Sequence, residues 1–363
     1  MKNEPLYQQI KNKIKEQIQS GKLRMGDRVP SEKELMEEYH VSQITTKNAL
    51  AGLAEEGIVE RIKGKGTFVS ESAFTSSMNQ QNKSKGFIGL ILPTMKTKID
   101  QEFVNYIEKY VAKNGHQLIV KITRESQFEE AIAIEMYKKM EVKGMIIFPT
   151  EKENYNEAVL RLSLDKFPFV LIDRYLENIL TYSVASENEN GTLEAISYLL
   201  DKGHKNIGLI SPIITNTVTE ERAKGFEDAL LKRKTTINKN LWLTLEFNDI
   251  SKNKTPKLIK DFLLTKPEMT AVFTMNAELA SYTHLAITSL KNETGRDIEL
   301  ITFDPPGISG ISFIEQNIEE CSKKTVELLL EQIDGTYNPR RIFVPVKLNQ
   351  CEHFESLLLV DKI

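Results

Sequence analysis

Leu6, Ile10, Ile14 and Ile18 recur every four residues, which predicts an amphipathic helix over residues 5–19 with Lys11, Lys13 and Lys15 on its polar face. Ser20-Gly21 ends that pattern. Further on, Ser31 is followed three residues later by Glu34, a capping-box spacing in front of Leu35, Met36 and Tyr39. A short break at His40-Val41 leads to Ser42, a second candidate N-cap, with Thr45 three residues on. The helix that follows places Ala49, Leu50, Leu53 and Ala54 on one face and stops at Gly57. Two helices joined by so tight a turn predict a helix-turn-helix, whose second helix can enter a DNA major groove. The runs IVERIK and TFV, hinged on Gly64-Lys65-Gly66, then predict a hairpin with a basic tip: a wing.

From Ser70 to Gly86 the pattern lapses into SESAFTSSMNQQNKSKG, polar and aperiodic, which reads as a flexible linker. The expected organisation is therefore a reader over 1–70, a linker over 71–86 and a second domain over 87–363. In that second domain, near-continuous apolar strands alternate with helical patterns: FIGLILP, QLIVKI, GMIIFP, FPFVLID, NIGLIS, LWLTLEF, TAVFTM, DIELITFD and a closing RIFVPVKL. Helices are expected between them, including 152–165, 188–202, 219–233, 254–264 and 317–334. Such alternation predicts an α/β core of parallel sheets covered on both faces.

Open parallel sheets bind ligands at the carboxyl ends of their strands. Those ends carry Thr94, Lys96, Pro149, Thr150, Asp173, Arg174, Phe247, Asn276 and Asp304, and Arg222 opens a later helix. Carboxylates, an amide, arginines and an aromatic ring suit a small polyol, since donors and acceptors can fork onto vicinal hydroxyls while a ring stacks on C–H faces.

Composition narrows the field. The net charge of −3 argues against indiscriminate nucleic-acid coating but allows a focused contact. Residues 1–70 hold 12 Lys/Arg against 10 Asp/Glu, and the remainder 36 against 41, so the small asymmetry has the sign DNA requires. No apolar run approaches a membrane span, and the first residues form no secretory signal, so a cytoplasmic protein with no membrane contact is expected. Cys321 and Cys351, and the scattered His40, His116, His204, His284 and His353, form no metal-spaced cluster. No G-x-G-x-x-G opens a strand–helix turn, and GKGT at the hairpin tip lacks the spacing of a phosphate loop. No nucleophile elbow or lysine motif for a pyridoxal cofactor occurs. No cofactor, no metal and no enzymatic activity are expected.

Four stretches of the first domain can be set against known families: PLYQQIKNKIKEQIQSGKL, then G-D-x-x-P-S-E-x-E-L from Gly26 to Leu35 and V-S-x-x-T-x-K-x-A-L from Val41 to Leu50, closing with G-I-V-E-R-x-x-G-x-G-T-F-V from Gly57 to Val69. Together they resemble the N-terminal domain of the GntR family of bacterial regulators. That resemblance implies DNA contacts at Lys33, Ser42, Gln43, Ile44, Thr45, Lys47 and Gly64, with Lys65 adding charge at the tip. Gln43 departs from the family's usual Arg and Ile44 from its frequent Thr. Because glutamine pairs with adenine where arginine prefers guanine, an altered operator is expected.

The second domain resembles the effector-binding core of the LacI/GalR repressors, itself similar to periplasmic sugar-binding proteins. The residues behind this are FPFVLIDRY, the run from Glu189 to Ser211, ERAKGFEDAL, MTAVFTMNAELA, DIELITFD and IEQNIEECSKKTVELLLEQI. By that resemblance Asp173, Arg222, Asn276 and Asp304 line the effector site, with Phe247 a looser match to its stacking ring, and Arg174 joins them from its place at a strand end. Ala277 and the PPG after Asp304 depart from the family, which bears on which ligand is bound. A GntR-type reader on this core resembles the arabinose-repressor architecture. It implies a homodimer on operator DNA that releases under an arabinose-like sugar, another sugar or a sugar phosphate. A sensor of a non-sugar metabolite and an activator remain as alternatives.

Overall fold

A computed structural model describes residues 5–70, 85–150, 156–246 and 249–351. The expected linker, helix residues 152–155, and Phe247 at the expected stacking position lie largely or wholly outside the described residues. The chain divides into two compact units, Met1–Lys85 and Gly86–Ile363.

The first unit comprises α1 (Leu6–Gln19), α2 (Glu32–Tyr39), α3 (Gln43–Glu55), β1 (Val59–Ile62) and β2 (Gly66–Val69). The capping box forms as the spacing requires: Ser31 N–H donates to Glu34 Oε2 at 2.6 Å, and Glu34 N–H to Ser31 Oγ at 3.3 Å. His40 then turns the chain in the left-handed region, φ 53°, and Ser42 caps α3 by accepting from the Thr45 amide at 3.3 Å. Ile10, Ile14, Ile18, Leu35, Ala49, Leu50, Leu53, Val59 and Val69 close a single core.

Two expectations for α1 need correction. Leu6 is exposed, because it sits at the free first turn beyond the reach of that core. Lys11 is buried rather than solvated: its Nζ donates to Glu56 Oε1 at 2.6 Å while Lys15 reaches Oε2 at 2.8 Å. Burial alone would raise the Glu56 pKa, yet the two lysines prevail and lower it. This charge cluster ties α1 to the end of α3.

The second unit holds two six-stranded sheets. In the first, β3 (Phe87–Leu92), β4 (Gln117–Ile122), β5 (Gly144–Ile147), β6 (Phe169–Ile172), β7 (Ser183–Ser186) and β13 (Arg341–Val344) lie in the order β4-β3-β5-β6-β7-β13, all parallel. One face packs on α4 (Lys98–Lys113) and α11 (Ile318–Ile333) through Leu90, Phe103, Ile107 and Leu329. The other packs on α5 (Gln127–Lys139) and α6 (Glu157–Leu164) through Ile91, Ile134, Tyr137 and Leu162.

The second sheet runs β9 (Trp242–Leu245), β8 (Ile207–Pro212), β10 (Ala271–Thr274), β11 (Glu299–Phe303), β12 (Ser312–Glu315), β14 (Lys347–Asn349). It lies between α7 (Asn188–Asp201) with α8 (Thr217–Lys232) and α9 (Thr255–Leu264) with α10 (Ala277–Thr294). A parallel sheet clad on both faces explains why its strands read as unbroken apolar runs. Among the described strands of this sheet only β14 is antiparallel, to β12.

The sequence pattern did not predict β7 or β12. Their residues, SVAS and SFIE, carry too little apolar character to stand out, because they are held by neighbours in the sheet. The closing RIFVPVKL is two strands rather than one: β13 ends at Val344, Pro345 intervenes, and β14 joins the other sheet. Proline lacks the N–H a strand interior needs, so the ladder breaks there. The helix expected over 152–165 is described only from Glu157, capped by Asn156, and that over 219–233 begins earlier, at Thr217. The chain thus crosses between sheets three times: from β7 to α7, from β12 to α11, and from β13 to β14. Those crossings leave from the carboxyl ends of β7, β12 and β13, the side on which Asp173 and Asp304 also stand.

Candidate nucleic-acid interface and effector cleft

The outward face of α3 presents Gln43, Ile44, Lys47 and Asn48, all exposed, while Thr46, Ala49, Leu50 and Leu53 turn into the core. Ser42 Oγ lies 2.9 Å from Thr45 Oγ1, so both hydroxyls gather at the helix N-terminus beside its unpaired amides. Lys33 is exposed on the first turn of α2. The hairpin closes with Ile62 opposite Gly66, leaving Lys63, Gly64 and Lys65 as an exposed tip. Gly64 has φ 78° and Gly66 φ 126°, conformations that favour glycine and explain the G-x-G spacing. Arg61 of β1 reaches Glu32 at 3.7 Å, which sets the wing base beside the start of α2. Sequence reasoning passed over Lys63 and Asn48; a helical wheel drawn through Ile44 and Lys47 would have found Asn48.

In the second unit Asp173 and Asp304 occupy matching places, each directly after a central strand, one in each sheet. Both are buried, and both hold a left-handed backbone, φ 68° and 67°. Their amides donate to the neighbouring strand, Asp173 N–H to Val184 at 2.9 Å and Asp304 N–H to Ile314 at 2.8 Å. Such outlying backbone in a non-glycine residue is held only where surrounding structure enforces it.

Arg222, from the second turn of α8, interacts electrostatically with both aspartates. Its guanidinium lies 3.5 Å from the centroid of the Phe303 ring, and its Nε donates to Asn188 Oδ1 at 2.9 Å. Another donor bonds the Met275 carbonyl at 2.5 Å. Burial pushes the Asp173 carboxyl up to about 6, against Arg174 and Arg222, and also raises Asp304, against Arg222 and Gln316. The same burial lowers Arg222, opposed by Asp304, Asp173 and Glu221.

Arg174 turns toward the end of β5: its Nη1 donates to the Pro149 carbonyl at 2.8 Å and its guanidinium stands 5.1 Å from the Phe148 ring. Asn276 is half-buried and caps α10, its Oδ1 accepting from the Leu279 amide at 2.8 Å, so its Nδ2 is what it can offer a ligand. Thr150 is buried with its amide donating to Glu130, while Thr94 holds the Lys96 amide at 3.1 Å and Lys96 is exposed.

Several groups escaped the sequence reading because nothing local marks them. Gln316 donates to Asp304 Oδ1 at 2.7 Å and accepts from Ser186 Oγ at 2.7 Å, bridging the sheets at a crossing. Asn188 donates to Glu221 Oε2 at 3.0 Å, and Tyr175 of the first sheet's side donates its hydroxyl to the same carboxylate. Asp100 is buried in the capping box of α4 and interacts with Asp173.

Two family descriptions match this architecture. Residues 6–69 match bacterial regulatory proteins of the gntR family, and residues 85–300 match periplasmic binding proteins and the sugar-binding domain of the LacI family. The chain belongs to the LacI-type family, with a gntR-family reader. Its LacI-type core is similar in structure to a periplasmic binding protein/LacI transcriptional regulator from Alkaliphilus metalliredigens complexed with D-xylulofuranose. The TM-score is 0.60 at 23% identity, covering 73% of this chain and 98% of that one. The whole chain is similar to the arabinose metabolism transcriptional repressor of Halalkalibacterium halodurans, 26% identical over 317 residues, 86% of this chain and 84% of the relative. It is likewise similar to the repressor PurR of Haemophilus influenzae, 27% identical over 335 residues, 88% and 95% covered. These relatives are transcriptional regulators, and the gntR-type reader on a LacI-type core makes this chain a DNA-binding transcriptional regulator. Among the described residues no helix is long and apolar enough to cross a membrane, and no group of three or more His, Cys, Asp or Glu is placed to hold a metal. Cys321 is buried and Cys351 half-buried, both as free thiols.

Proposed function

We propose that this regulator is a cytoplasmic, non-enzymatic repressor of carbohydrate-utilisation genes, released from its operator by a small sugar. The observation behind this reading is the Asp173–Arg222–Asp304 cluster, which draws a buried charge from each side of one cleft. Sugar hydroxyls donate to carboxylates and accept from a guanidinium, so one ligand can satisfy both walls. Asn276 supplies an amide donor at the rim, Arg174 shapes the Asp173 side, and Phe247 is proposed as the stacking ring. The similarity to an arabinose metabolism repressor puts pentoses first in a screen that extends to hexoses, disaccharides and sugar phosphates.

On DNA, Lys33, Ser42, Gln43, Ile44, Thr45, Lys47, Gly64 and Lys65 form the contact set. Hydroxyls and free amides at a helix N-terminus bind phosphates, and lysines bind phosphate or guanine. A homodimer built on the LacI-type cores presents two readers to two half-sites. Cleft closure moves the points from which the readers are tethered, and a coupling of about 1–3 kcal/mol alters operator affinity roughly 5- to 150-fold.

A thermal-shift screen with those sugars tests the pocket. At least one should raise the melting temperature of the wild-type protein and leave that of Arg222→Met unmoved. If none shifts the wild type while a non-sugar metabolite does, the sugar reading fails.

A further inference from the structure

Ile44 is the second residue of α3, and 72% of its surface is exposed. A lone exposed isoleucine is ordinary on a protein surface. This one stands among Gln43, Lys47 and Asn48, all polar and exposed, on the face of the helix that would enter the groove. The opposite face already closes the core through Thr46, Ala49, Leu50 and Leu53, and Ile44 lies outside that core.

In the major groove the base edges present hydrogen-bond donors and acceptors, and the C5-methyl of thymine is the apolar group that projects from them. An isoleucine pressed on any other edge strips water from a polar atom and returns no hydrogen bond. Resting on the regulator reading above, we infer that Ile44 is a specificity-determining residue that packs on a thymine 5-methyl group, once in each half-site. Gln43 precedes it at the helix N-terminus and has the bidentate amide that pairs with adenine. The two neighbours therefore select A·T pairs, one by hydrogen bonding and one by apolar contact. The β-branched side chain is stiff about χ1, so little freedom is lost when it docks.

The test uses the full chain and the duplex it selects from a random-sequence pool. Each thymine of that duplex is replaced in turn by uracil, which removes the methyl group and nothing else. One thymine per half-site should prove sensitive, its replacement weakening wild-type binding roughly three- to fivefold, the scale of one buried methyl group. The same replacement should leave Ile44→Ser and Ile44→Asn, whose side chains carry no methyl group, unaffected. Two variants guard against a fold artefact, and an exposed site tolerates both. If the wild type binds its selected duplex and no uracil matters, or if Ile44→Ser keeps the sensitivity, the inference is wrong while the regulator reading survives. If the full chain selects no duplex at all, both fall together.

Discussion

Replacing Asp173 by Asn should abolish a pH dependence of stability that the cleft imposes on its own core. Asp173 is 8% exposed, and burial pushes its carboxyl up to about 6 from an ordinary 3.8. A native pKa raised above the unfolded one means that, between pH 4 and 6, the folded state holds a proton the unfolded state has released. Stability therefore falls as pH rises through that window, and the full penalty is present above about pH 6. A shift of roughly two units at about 1.4 kcal/mol each comes to about 3 kcal/mol. Asparagine keeps the shape and cannot ionise, so the difference in unfolding free energy between variant and wild type should move in the variant's favour by about that amount from pH 4 to pH 7. Taking the difference cancels the titrations of groups remote from Asp173, and the same comparison in Asp304→Asn separates the contribution of its coupled neighbour. The single tryptophan, Trp242, lies in the effector core 5.7 Å from Phe226, so its fluorescence in urea titrations reports the unfolding of that unit alone. Parallel wild-type and variant curves from pH 4 to pH 7 would refute the assignment of a raised pKa to Asp173.

Other perturbations separate the two halves of the protein. Lys47→Ala should weaken operator binding and lower the slope of log affinity against log salt by about 0.9 if it meets one phosphate, as measured by fluorescence anisotropy between 50 and 200 mM salt. Asp304→Asn should leave DNA affinity in ligand-free buffer within about twofold and remove the thermal shift caused by the effector, since only the cleft is altered. In Gly225→Ala, the new Cβ would fall 2.2 Å from the Glu189 carbonyl oxygen, where α8 crosses α7. That clash is with backbone, so Trp242-monitored denaturation should show a loss of about 2 kcal/mol or more.

The local motifs were readable because their chemistry is local. A serine and a glutamate three apart cap a helix wherever they stand, and both N-caps of the reader formed as spaced. Near-continuous apolar runs announced the central strands for a similar reason, as burial on both faces leaves no polar positions. What stayed hidden depends on partners far along the chain. Lys11 looks like any surface lysine until Glu56 folds back onto it. Strand β7 has its place because β6 and β13 flank it, and its own residues do not predict that. Asp173, Arg222 and Asp304 were identifiable as strand-end or helix-start polar groups, but the bridges through Gln316, Asn188 and Glu221 join residues up to 130 positions apart. No pattern of period two or 3.6 encodes such a link.

In the proposed mechanism, ligand held between Asp173 and Asp304 changes the grip of the readers on DNA. Operator affinity of the full chain is measured with and without a sugar already shown by thermal shift to saturate the core. Affinity should fall within the roughly 5- to 150-fold range of such couplings, and the fall should be absent in Arg222→Met. An affinity for operator that is the same in the empty and the saturated protein would contradict it.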